Sequence, residues 1–497
     1  MHHYCFFLSK LNFCRIDYIF VMKSKISISS ILIPLNSLLV ILGIIIAYTY
    51  AESIKYGSIA LISLISIILI LICIAAPKLA YYLCILYGAI IYFIKRLLYP
   101  AYIPVSIGGE ILIITLFTGI LLRKIIKQEK LWNDVKNPIT ISLLIIITYN
   151  LIEVFNPYAQ PHIGWAIVFP QYVTNLLFFL SGLYVMNSMG SIISFLKFWV
   201  ILAFIIGLYG CIQQWIGIAP WEYRQIINDP AAYAIMFQNG FIRKYSTLSD
   251  SPAFGIFMSG STIFCIALLL SSIQLRKKIL LGIFIIIMLL GMAYSGTRTA
   301  TAILPVGLGF MGLLTIQNKK TLILLGTVFL IGIIFFFSPV HNGVTARLRS
   351  AFRFNSNPSM LVREHNRKSK QYYMHHHPIG GGIKTTGVSG LQLYPSHELA
   401  GFPPDGVFVM NALEIGWIGF LLQLFVYFIV LKYAIHQYYN QKNKDIKIIY
   451  AGIASTLFAW YISDYSQGAV GNFSISFIYN GILAAMIKIN SLTSKNI

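Results

Sequence analysis

Two arginines stand where a membrane-facing anion site would need them. Arg298 lies in Tyr294-Ser-Gly-Thr-Arg-Thr-Ala300, a tight turn between two apolar runs. A helix starting near Thr299, capped by Ser295 or Thr297, would offer free N–H groups and a partial positive charge beside that guanidinium. Arg243 lies in Phe241-Ile-Arg-Lys-Tyr-Ser-Thr-Leu-Ser-Asp-Ser-Pro252, again just before an apolar run. A guanidinium is planar and binds two phosphate oxygens at once. Either arginine alone is an ordinary interfacial charge; two at one membrane face point to a shared anion.

A third group of residues sits in a polar segment, Val340 to Pro404, which carries eight Lys/Arg, two acids and six of the ten histidines. Arg363 precedes Pro378-Ile-Gly-Gly-Gly382, whose glycines allow close backbone approach. Gly380-Gly-Gly-Ile-Lys384 is not a phosphate loop, because no glycine directly precedes Lys384. His375-His-His377 lacks helical ligand spacing and a carboxylate partner, so no metal is expected. Ser396-His397-Glu398 and Pro404-Asp405-Gly406 follow, then Glu414-Ile-Gly416-Trp-Ile-Gly419. His397 and Asp405 are candidate proton acceptors, although Asp405 also suits a helix cap. Glu414, read as lying inside a span, requires a partner. Glu110, Glu153 and Asp464 are further acids in apolar runs and keep a transporter reading open. The six cysteines form no CxxC pair and imply neither disulfide nor zinc.

The elements that must position these residues are membrane helices. The chain has 497 residues, 58% hydrophobic and 10% charged. Repeated apolar runs of about 20 residues suit transmembrane helices, and unbroken runs exclude a β-barrel, whose strands alternate. The reading is an all-α polytopic bundle of about 12–14 spans. Expected spans are 31–50, 56–76, 79–96, 103–122, 139–155, 171–187, 192–218, 252–272, 279–294, 300–316, 321–338, 405–431, 448–465 and 473–490. Residues 1–21 read as a mis-started extension before Met22-Lys-Ser-Lys25, 22–338 as the first set of spans, 339–404 as one large extracytoplasmic loop, and 405–497 as the last spans. The net charge of +22 is largely topological, not a sign of nucleic acid. Lys23/Lys25, Arg123–Lys136, Arg276–Lys278, Lys319/Lys320 and Lys432–Lys447 fall on one side under this count. Lys95 and Arg96 fall on the other. Long translocated loops escape the rule, so the basic segment can be extracytoplasmic.

With Ser295–Ala300, Arg363 before Pro378-Ile-Gly-Gly, and Asp405 before Glu414-x-Gly416-x-x-Gly419 in that order, the chain resembles the O-antigen ligase and polymerase superfamily of bacterial inner-membrane glycosyltransferases. The resemblance covers roughly Pro220–Phe420. It implies a glycan donor on polyprenyl diphosphate, a glycan or lipid acceptor, membrane lipids as neighbours, no cofactor, and an active site on the periplasmic side. It implies that Arg298 and Arg243 hold the diphosphate and that Arg363 matches the family's loop arginine; Glu414 and Lys384 are taken beside these as further substrate-binding candidates. The ligase branch has a histidine, then one polar residue, then nine residues before Gly-x-x-Gly. Here Asp405 and Gly406 occupy those two positions, and His397 lies eight residues earlier. Asp405 is therefore the expected base and His397 the runner-up. Ligation to lipid A, polymerisation and transfer to another acceptor all remain open. The alternative from another class is a polysaccharide or lipid-linked oligosaccharide flippase.

Overall fold

The computed structural model describes residues 67–100, 105–129, 135–238, 240–337, 358–404 and 406–494. The N-terminal extension, the 31–50 span, most of the 56–76 span and Asp405 lie outside them, and of Arg363 only the backbone is described. Within Met1–Ala80, one compact unit, residues 67–75 are helical; Tyr81–Ile497 is the second unit.

The helices follow the apolar runs. In chain order they are α1 (Pro77–Leu97), α2 (Val105–Ile126), α3 (Pro138–Ile152), α4 (Ile163–Val185) and α5 (Met189–Trp215). Two short helices, α6 (Pro220–Asn228) and α7 (Pro230–Met236), lead into a minimal hairpin of β1 (Phe237–Gln238) and β2 (Phe241–Ile242). Then come α8 (Ser251–Leu268), α9 (Leu275–Ser295), α10 (Arg298–Leu314) and α11 (Lys319–Phe337). The polar loop holds α12 (Pro358–Ser369), α13 (Gln371–His376) and α14 (Gly387–Leu393). Last are α15 (Val407–Glu414), α16 (Gly416–Asn440), α17 (Lys444–Ser463) and α18 (Phe473–Ser494). Among the described residues nine helices are long and apolar enough to cross a membrane. The fold is all-α and polytopic, as the composition requires.

Three details differ from the sequence reading. The α4 span begins at Ile163, eight residues before the expected start at 171, and carries Pro170 inside it. The apolar stretch Ile163–Phe169 is long enough to extend the helix ahead of the proline, despite the hydrogen bond that Pro170 removes and the crowding of its ring against the preceding turn. The expected 405–431 span is two helices, broken at Ile415 and at Gly416, whose φ of +66° no side chain tolerates well. Finally, Arg96 is no orientation signal. It is 4% exposed and donates from Nη1 to the Leu248 carbonyl and from Nη2 to the Ser246 carbonyl, both at 2.8 Å. Its guanidinium covers the Tyr245 ring, and its Nε lies 3.8 Å from Glu222. It is bound by protein rather than by head groups, which leaves Lys95 as the one charge of this pair that still opposes the basic clusters.

The core helices are α8, α17 and α18. α8 packs on α9, α10 and α17, and Trp460 of α17 donates to the Ile256 carbonyl across a surface where Gly260 leaves room for its indole. The segments that matter for chemistry gather at one end of these helices. Lys244 N–H meets the Tyr294 carbonyl, Thr299 meets Ser466, and Tyr149 meets the Ile415 carbonyl. At the opposite end Ser272 binds Asp445 and Gln441 binds Thr493, near Arg276–Lys278 and Lys442–Lys447.

Candidate active site

Arg243 is built into the Ser295–Thr297 turn. Its Nε donates to the Ser295 carbonyl at 2.9 Å, and its Nη2 donates to Thr297 Oγ1 at 2.6 Å. The side chain is 4% exposed. Gly296 makes the turn possible: it takes the left-handed conformation, φ +59°, that ends α9. Thr297 is the N-cap residue of α10, but its side chain makes no cap bond. Ser295 Oγ accepts the Thr297 N–H at 3.2 Å, so of the two expected caps only Ser295 takes a backbone N–H at the helix start. The Thr297 hydroxyl instead receives Arg243 and donates to the Ser251 carbonyl at 3.1 Å, while Ser295 Oγ donates to the Met292 carbonyl. The α10 N-terminus is thus left without a side-chain acceptor from Thr297, and Arg298 is its first residue. Anions are stabilised there.

The next residue links this turn to the start of α15. Thr299 Oγ1 lies 2.6 Å from Ser466 Oγ. Gly406 packs against the backbone of Tyr465 and Ser466 so tightly that a Cβ would collide with the Tyr465 carbonyl. Phe408 N–H donates to the Asp464 carbonyl at 3.3 Å. Arg243, Arg298 and the α15 start are therefore connected by short contacts through Thr297, Thr299 and Ser466. The N-cap position of α15 falls on Gly406, so the cap expected at Asp405 belongs to its neighbour.

Arg367, which the sequence reading passed over, joins the same edge. It lies four residues after Arg363 on α12, and residues at that spacing share a helix face. Its guanidinium stacks 4.2 Å above the Tyr465 ring and bonds to the Tyr465 hydroxyl. Its Nε and the Gln467 carboxamide oxygen are buried without a hydrogen-bond partner among the described residues. No local pattern announces this contact, because its two partners are 98 residues apart.

The remaining candidates hold the loop. Glu414 is 6% exposed and accepts from Lys384 N–H at 2.9 Å and from both the N–H and hydroxyl of Thr386. Lys384 contributes its main chain, at φ +65°, to this clasp. Gly381 N–H and Gly382 N–H donate to the Leu413 and Glu414 carbonyls at 2.7 and 2.8 Å. A Cβ on Gly380 would strike the Glu414 carbonyl, and one on Gly416 the Pro378 carbonyl. The Pro378–Gly382 turn is thereby fastened over the helix break. His397 Nδ1 accepts from Leu399 N–H at 3.0 Å, and its ring also bonds the Gly381 backbone. Burial pushes its pKa below the ordinary histidine value, opposed by Glu398. Glu153 accepts from Asn156, and Asp464 from Tyr427 and from Ala469 N–H. These two acids are hydrogen-bonded parts of the framework. His376 and His377 each bond a carbonyl one turn back, and no group of three metal-type ligands occurs among the described residues.

Glu414→Ala should leave the Lys384 and Thr386 donors buried and unmade, costing about 3 kcal/mol. Thermal unfolding of the purified protein would register this as a marked drop in midpoint, and an unchanged midpoint would contradict the clasp.

Comparison with known proteins places the same stretch in context. A family model described as O-antigen ligase matches residues 283–424. That range holds the Arg298 turn, the loop, and α15 with the start of α16; Arg243 and Ser466 lie outside it. No curated protein matches the chain.

Proposed function

We propose that this multi-pass membrane protein transfers a glycan from a polyprenyl diphosphate donor to an acceptor hydroxyl. The observation that carries the reading is the binding of Arg243 to the turn that ends in Arg298, beside the α15 start. The O-antigen ligase match over residues 283–424 supports the same chemistry.

The leaving group is good, so the demands on the protein are few. Arg298 and Arg243 offset the charge that develops as the bond from the anomeric carbon to the diphosphate oxygen breaks. Fixed guanidinium groups in a partly desolvated site do this without reorganising. Asp405 accepts the acceptor's hydroxyl proton as its oxygen bonds the anomeric carbon. The bond electrons leave with the diphosphate, and the anomeric centre inverts. Arg363, one turn before Arg367 in α12, is assigned to the same anion-binding surface. Glu414 and Lys384 serve indirectly, by fixing the loop that faces it. The basic clusters at the opposite helix ends support a periplasmic site in a bacterial inner membrane.

The test uses lipid-linked glycan extracted from a deletion strain. Purified protein in vesicles should release polyprenyl diphosphate and form glycosylated acceptor with no nucleotide present. Movement of intact glycolipid between leaflets, with no diphosphate released, would identify a flippase instead.

A further inference from the structure

Between β2 and α8 the chain runs irregularly from Arg243 to Asp250, yet its main chain is held at residue after residue. Arg243 N–H donates to the Met236 carbonyl and Lys244 N–H to the Tyr294 carbonyl. The Tyr245 and Ser246 N–H groups both donate to Gln213 Oε1, at 3.4 and 2.9 Å. The Ser246 and Leu248 carbonyls accept the two Nη groups of Arg96. The Ser246 hydroxyl donates to the Ile206 carbonyl at 2.6 Å.

Three helices supply the side chains of this clamp, and those side chains are coupled to one another. Arg96 lies in the last turn of α1, Gln213 in the last turn of α5 and Glu222 in the first turn of α6. Gln213 Nε2 donates to both oxygens of Glu222 at 3.0 and 3.1 Å, and Glu222 lies 3.8 Å from Arg96 Nε. All three are buried. Gln213 is the joint, because a carboxamide accepts from the segment and donates to the carboxylate at once.

A buried ion pair is a poor way to gain stability, since apolar side chains of similar volume often do as well or better. An apolar filler, however, leaves the main-chain groups of an irregular segment unmet. Ser246 adds a second mark of imposed geometry. Its φ is +56°, a left-handed conformation that a residue other than glycine keeps only where its surroundings dictate it. From this clamped segment Arg243 reaches the Ser295–Thr297 turn.

We infer that Arg96, Gln213 and Glu222 are positioning residues for glycan transfer. They fix the Tyr245–Leu248 main chain, and with it the register in which Arg243 meets the turn that ends in Arg298. They act through Arg243 rather than on the substrate. The inference rests on the donor reading above and extends the site to three helices outside the matched residues 283–424.

The test measures steady-state transfer by the full chain in vesicles, with lipid-linked glycan as donor and inorganic pyrophosphate as inhibitor. Gln213→Glu sets two buried carboxylates against each other. It should lower kcat/KM for the donor by about 10²-fold, the cost of a misplacement of about 1 Å. It should also weaken inhibition by pyrophosphate and leave KM for the acceptor unchanged. Adding Glu222→Gln exchanges the pair, which restores both sets of hydrogen bonds and a single carboxylate near Arg96. The exchanged pair should recover most of the lost rate. Arg96→Lys keeps the charge but gives up the two-armed grip on Ser246 and Leu248. It should show the same donor-side defect in milder form, and it decides the matter if Gln213→Glu does not fold. A merely structural role would lower the unfolding midpoint and leave kcat, both KM values and pyrophosphate inhibition per folded molecule unchanged. That result, or an exchanged pair as slow as Gln213→Glu alone, would overturn the inference. A wild type that releases no diphosphate from the donor would remove the donor reading itself, before any variant is compared.

Discussion

Arg298→Ala is expected to abolish glycan transfer while the protein still reaches the membrane. The residue opens α10 at a half-exposed position, so its loss opens no core cavity. On the proposed reading the loss is of a charge that offsets that of the leaving group, and removing one such donor typically costs about 10²–10³ in rate. In cells the readout is the surface glycan ladder. A polymerase defect would leave single repeats on the final acceptor, and a ligase defect would accumulate lipid-linked polymer. A normal ladder at normal protein level would discard the role. Arg243→Ala is a less clean probe, because that side chain also holds the Ser295–Thr297 turn in place.

Asp405→Asn is expected to be as severe, and His397→Ala mild. A positioned base contributes about 10²–10⁴ in rate, and an amide cannot accept the proton. His397 has other employment: Nδ1 takes the Leu399 N–H and the ring bonds the Gly381 backbone. Its removal should loosen the loop, seen as a lower unfolding midpoint, more than it slows turnover. Single-turnover rates for the two variants would separate the roles. An inactive His397→Ala beside an active Asp405→Asn would make the imidazole the base.

The spans were readable because lipid leaves the backbone one way to satisfy itself, and long apolar runs record that. The Ser295–Ala300 turn was readable from Gly296 and its place between two runs. The pairing of Arg243 with that turn was readable only as two charges beside spans; the Thr297 hydroxyl that joins them was assigned to a cap. The break at Gly416 was hidden, since both flanks are apolar and only the fold of Pro378–Gly382 against it demands the bend. Glu414 and Lys384 stand out in the sequence only as an acid in an apolar run and a loop lysine, which look alike whether they meet substrate or backbone. Arg367 on Tyr465, and Thr299 on Ser466, depend on residues 98 and 167 positions apart. No local rule reaches that far.

Arg96 carries a consequence for how the chain is made. Its two carbonyl partners arrive 150 and 152 residues later, and Glu222 also follows long after. Until they emerge from the ribosome, α1 bears a cation at the end where the finished fold wants none unneutralised. The Arg96 guanidinium can be housed as the finished fold houses it only once the Ser246–Leu248 segment is in place.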